Sequence, residues 1–72
     1  MFNKPYVVIS SSTGIVRDHH NRVIRLATEQ AALELAADLT DCLPKGSATE
    51  YHVVLNGREI QVVRPDGISL RV

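Results

Sequence analysis

Only one stretch of this 72-residue chain, 28–43, repeats its apolar residues with the period of a helix; the rest alternates short β-branched runs with turn residues. Thr28 offers an N-cap hydroxyl, and Glu29 and Gln30 follow in the first turn, where negative charge suits the helix dipole. Ala and Leu, both strong helix formers, dominate the stretch, and Pro44 and Gly46 end it. At about 100° per residue, Ala32, Leu35, Ala36, Leu39, Cys42 and Leu43 share one stripe, which predicts the face turned to a core. Leu33 and Ala37 fall outside that stripe. Cys42 falls on it, near a helix C-terminus where the dipole disfavours a thiolate, so an inert, buried thiol is expected there.

The flanking segments are written for strands. Tyr6–Ser10 is β-branched and is followed by the hydroxyl-rich turn Ser10-Ser11-Ser12-Thr13-Gly14. Ile15–Arg17 predicts a second strand, Asp18-His19-His20-Asn21 a turn, and Arg22–Ala27 a third strand. After the helix, Tyr51–Leu55 leads into Asn56-Gly57, the pair preferred in a type I′ hairpin turn. Arg58–Arg64 returns, Pro65-Asp66-Gly67 turns again, and Ile68–Val72 closes with strict alternation. The expected fold class is α+β, with one helix packed on one face of an antiparallel-rich sheet of five or six strands, in the order β-β-β-α-β-β-β.

Length sets further limits. A chain of this size forms one small domain and buries only roughly 60% of its unfolded surface, so it gains from a staple or a partner. Cys42 is the only cysteine, which excludes an intrachain disulfide, and no metal-ligand spacing or cofactor motif is present. The runs Tyr6-Val7-Val8-Ile9 and Tyr51-His52-Val53-Val54-Leu55 are apolar on both sides, as in strands covered on both faces. One helix covers one face, so a homodimer joined by sheet faces or edge strands is expected. The first residues, Met1–Pro5, lack a basic leader, and the apolar run after them is too short for a signal core or a membrane span. A soluble, cytoplasmic protein is expected.

Charge is sorted along the chain. Segment 28–43 holds Glu29, Glu34, Asp38 and Asp41 and no Lys or Arg, a formal charge of −4, and the remainder carries +4, for a net charge of zero. Such a dipole can turn an acidic face to one partner and a basic face to another. Asp38 and Asp41 oppose the macrodipole at the C-terminal end of the helix, at a cost of about 0.3–1 kcal/mol each, and no basic residue at i+4 relieves them. A partner that reads acidic charge accounts for that pattern. The expected protein-binding residues are Leu33, Glu34, Ala37, Asp38 and Asp41, with Leu33 and Ala37 as an apolar anchor. The alternative is a nucleic-acid interface of Arg17, Arg22, Arg25, Arg58, Arg64 and Arg71. Against it stand the zero net charge and the few aromatics, Phe2, Tyr6 and Tyr51. His19 and His20 neighbour each other in a turn and are expected to point apart, so neither a metal site nor catalysis by His19, His20 and Cys42 is expected. The Ser/Thr/Gly turn lacks the strand-turn-helix setting of a nucleophile elbow, and no glycine-rich loop opens the helix.

From Gly14 to Leu39 a strand, a turn and another strand precede a helix opening Thr28-Glu29-Gln30-Ala31-Ala32. This layout resembles a motif common in small bacterial and phage domains, and the hybrid-binding domain at the front of some ribonucleases H is similar in layout. The aromatic and lysine residues of that domain have no counterparts here, so the resemblance implies no nucleic-acid function. In size and charge the chain also looks like the acidic-faced inhibitors carried by phages and mobile elements. The function expected is therefore a non-enzymatic protein-interaction module, a regulator or inhibitor acting on a protein partner.

Overall fold

The computed structural model describes residues 4–65 and the backbone of 69–71. It is an α+β fold in which helix α1 (Glu29–Asp41) packs on one face of an antiparallel sheet. The strands are β1 (Tyr6–Ser10), β2 (Gly14–Ile15), β3 (Tyr51–Leu55), β4 (Arg58–Val63) and β5 (Ser69–Arg71), placed side by side as β2-β1-β3-β4-β5. β1, β3, β4 and β5 carry the sheet, and β2 is a two-residue rung on the edge of β1.

The third strand expected over 22–27 does not form. Two isolated bridges stand in its place, Arg17 with Val23 and Tyr6 with Leu26. The reason lies in the free edge of β1, which two segments share. Ile9 and Ser10 pair with Ile15 and Gly14, and Val8 O accepts from Val16 N at 2.9 Å, whereas Tyr6 exchanges both backbone bonds with Leu26. The turn between the segments is tied by Asp18, whose Oδ1 accepts from His20 N at 2.8 Å and Arg22 N at 3.0 Å, with Asn21 at φ 63°. Each segment therefore gains a fragment of a ladder, and neither gains a whole one.

The helix follows its sequence signals. Thr28 is the N-cap, extended at φ −133° and ψ 157°, and its Oγ1 accepts from Ala31 N at 3.1 Å. At the other end Cys42 N–H reaches the carbonyls of Asp38 and Leu39, both at 3.2 Å, and Leu43 and Pro44 follow outside the helix. Cys42 is exposed, contrary to the expected buried thiol. It caps the helix rather than belonging to it. Ala32 and Ala36 are fully buried in one cluster with Val8, Val53, Tyr51 and Val63, and Leu35, Leu39 and Leu43 pack around them. Leu33, expected outside the main stripe, also packs against this cluster.

Cross-strand register sorts the two sheet faces, because directly opposed residues point the same way. Val8 opposes Val53, and Ser10, Tyr51 and Val63 form the next row on the helix side. Ile15, Ile9, His52 and Val62 form a row on the opposite side, beside Val7, Val54 and Glu59. A register shift between Val53 and Val54 lets Ile60 and Gln61 both oppose the helix-side position of Val53. Without that bulge Ile60 and Val63 would fall on opposite faces; with it both pack against the core cluster.

The turn between β3 and β4 is the type I′ hairpin expected, with Asn56 and Gly57 at φ 52° and 82°. The turn Pro65-Asp66-Gly67 and the alternation of Ile68–Val72 lie largely outside the described residues, although β5 pairs with β4 through Gln61–Arg71, Val62–Leu70 and Val63–Ser69. Among the described residues no helix is long and apolar enough to cross a membrane. Gly57→Ala places a Cβ where φ is positive, so we expect a loss of about 1–2 kcal/mol in chemical denaturation. An unchanged midpoint would show that the hairpin does not hold the meander.

Candidate functional site

α1 packs chiefly on β3 and β1, less on β4, and does not reach β5. Among the described residues, the helix side of β4 is thus left partly uncovered along one flank of α1. A groove of about 320 Å³ occupies this place, with Leu33, Ala37, Thr40 and Asp41 on the helix wall and Gln61, Val63, Arg64 and Pro65 on the other. Leu33 is half-buried, Ala37 is exposed, and Val63 is 9% exposed, so the walls run from core to surface.

Three of the five expected protein-binding residues, Leu33, Ala37 and Asp41, meet in this groove. The other two do not line it. Glu34 lies within about 20° of Asp41 in helical projection, on the ridge bordering the groove, and Asp38 lies farther round the solvent side. Glu34 accepts a hydrogen bond from Gln30 Nε2 at 3.2 Å, and both acidic residues are exposed. Among the described residues, Glu34, Asp38 and Asp41 make no ion pair. Sequence reasoning missed the facing wall. Its signal was the adjacent pair Val62-Val63, but only the bulge decides which valine faces the helix.

The arginines of the alternative interface are dispersed. Arg22 Nε lies 3.6 Å from Asp18 Oδ2, and Arg17 Nη1 donates to Asn21 O at 3.2 Å. Arg64 Nε lies 2.8 Å from Glu50 Oε2, as an ion pair without the angles of a hydrogen bond. Arg17 and Arg22 belong to the second turn, Arg58 to the type I′ hairpin end, Arg25 to the segment entering Leu26, and Arg71 to β5, where only its backbone is described. Glu50 also continues a polar chain across the sheet: its Oε1 lies 3.6 Å from His52 Nε2, and His52 Nδ1 is hydrogen-bonded to Glu59 Oε1.

The other sequence candidates are accounted for locally. The turn after β1 spends its donors on itself: Ser10 Oγ, in a residue 4% exposed, accepts from Ser12 N at 3.2 Å and Thr13 N at 3.3 Å. Ser11 Oγ accepts from Glu50 N at 2.9 Å, and the Ser12 and Thr49 hydroxyls are in contact at 2.5 Å. These hydroxyls strap the hairpin to the segment entering β3. His19 and His20, expected to point apart, are brought together by the turn, with ring centroids 4.0 Å apart and both residues exposed. Among the described residues no three His, Cys, Asp or Glu side chains gather into a group that could hold a metal.

No protein-family model matches the chain, and no curated protein or solved structure is significantly similar to it. The geometry of the groove therefore carries the functional reading. For the strap, Ser10→Ala leaves two turn amides without their acceptor; by analogy with a lost N-cap we expect a cost of about 0.5–2 kcal/mol in thermal unfolding. A neutral substitution would show that Ser10 does not hold the turn.

Proposed function

We propose that this chain is a non-enzymatic protein-interaction module of the cytoplasm, a regulator or inhibitor of the kind carried by phages and mobile elements. It binds its protein partner through the flank of α1. The observation that supports this reading is the groove itself: an apolar floor at Leu33, Ala37 and Val63, bordered by the acidic ridge of Glu34 and Asp41, which make no ion pair among the described residues. Charge left uncompensated beside an apolar cleft fits recognition better than stability, since Asp41 also opposes the helix dipole. A nucleic-acid interface has less support, because Arg17, Arg22 and Arg64 already serve partners of their own, the first two within one turn and the third beyond the end of β4.

Affinity capture from the native cell tests the reading. Glu34→Lys with Asp41→Lys should lose the captured partner while the fold holds, since both positions are exposed and positive charge at 41 suits the helix C-terminus. Arg22→Gln with Arg25→Gln should capture as the parent does. If the acidic-ridge variant stays folded and captures the same partner, the proposal fails.

Self-association is part of the same proposal, through the sheet face opposite the helix. There Val7, Ile9 and Ile15 are half-buried, and the polar groups between them, His52 and Glu59, are bonded to each other. Among the described residues, such a face offers its own copy apolar side chains and one hydrogen-bonded polar pair across a two-fold axis. The molecule measures 39 × 29 × 16 Å, and its broad sides exceed the ~800 Å² per partner that a standard interface takes. Sedimentation at micromolar concentration should give twice 7.9 kDa. Ile9→Lys should shift it to the mass of one chain, and a parent protein already at that mass would rule the dimer out.

A further inference from the structure

We infer that the occupant of the groove is a basic amphipathic helix supplied by another protein, laid alongside α1 on the uncovered part of the sheet. This rests on the groove being a protein-binding surface. Shape is the first argument. Leu33, Ala37 and Asp41 stand at i, i+4 and i+8, a single ridge about 12 Å long on the helix wall. Such ridges seat a second helix with its axis about 8–10 Å away, and the short side chain of Ala37 at mid-ridge permits close approach.

The layering of the fold gives the second argument. α1 lies chiefly over β1 and β3 and, among the described residues, leaves part of the helix side of β4 to be covered, so another helix beside it completes the layer on that face. An added strand does not fit there. β4 is paired with β3 on one edge and β5 on the other, so its backbone offers no free edge for an extended peptide to pair with.

Charge decides between partners. The helix wall of the groove presents Asp41, and Glu34 lies on the same ridge, neither in an ion pair among the described residues, whereas Arg64 on the facing wall is held by Glu50 Oε2 at 2.8 Å. The complement is a helix carrying Lys or Arg beside its apolar stripe. A second copy of this chain is excluded as occupant, because its helical segment, 28–43, carries four acidic residues and no base. Like charges would then face one another along the groove.

The test titrates three peptides of about five turns into the ¹⁵N-labelled full chain. One is a helix with Leu on one face and Lys on its flanks, one has the same composition rearranged to alternate with period two, and one replaces every Lys of the first with Glu. The first should shift the amides of Leu33, Ala37, Asp41 and Val63. The other two should bind at least tenfold more weakly. Ala37→Glu, a change at an exposed position, and Glu34→Lys with Asp41→Lys should each weaken the first peptide at least tenfold, with melting curves as the folding control.

If the period-two peptide binds at those amides as tightly, the occupant is not a helix, although the groove remains a binding surface. If Ala37→Glu leaves binding unchanged, or if no peptide shifts these amides, the inference is overturned. The broader reading fails by a different result, undiminished capture of the native partner by the Glu34 and Asp41 variant.

Discussion

The opposed pair Val8 and Val53, on neighbouring strands and both fully buried beneath Ala32 and Ala36, is the contact on which the other contacts depend. Two alanines bring the helix backbone close to the sheet, and two β-branched residues fill the short gap without rotamer freedom to lose. In so small a core there is little else to hold the layers together. Leu35, Leu39 and Leu43 pack around this centre, and their partial exposure shows how quickly it gives way to surface.

Because the helix is centred over β1 and β3, it covers β4 only in part. The groove is the geometric consequence of one helix on a sheet wider than itself. The same placement sets the acidic ridge of α1 at the border of that groove, so the charge segregation of the sequence acquires a location. The basic residues are handled differently: several are consumed in turns and strand ends, where they stabilise local structure instead of forming one surface.

The opposite sheet face shows a subtler balance. Val54 and Val62 are 7% and 6% exposed, so neighbouring side chains already cover part of what the doubly apolar strands predict to be open. Val7, Ile9 and Ile15 remain only half-buried, and His52 and Glu59 satisfy each other between them. That polar chain lowers the cost of placing a histidine and a carboxylate in an apolar neighbourhood.

Local signals in the sequence were enough for the helix, its Thr28 cap and its end before Pro44, and for the type I′ turn at Asn56-Gly57, since each depends on residues within a few positions of one another. They also marked Leu33, Glu34, Ala37, Asp38 and Asp41 as a candidate surface, and helical periodicity places Leu33, Ala37 and Asp41 of these on one flank whatever the surroundings. Everything that needed a distant partner was decided by tertiary structure. The strand expected at 22–27 was reduced to bridges because it shares the edge of β1 with β2, a competition that propensity does not register. The bulge in β4 assigned Ile60 and Val63 to the same face, against the simple alternation of the strand. Cys42 became exposed because the helix ends there, and the groove exists only because the helix packs on β1 and β3, leaving a wall of β4 for which no local pattern speaks.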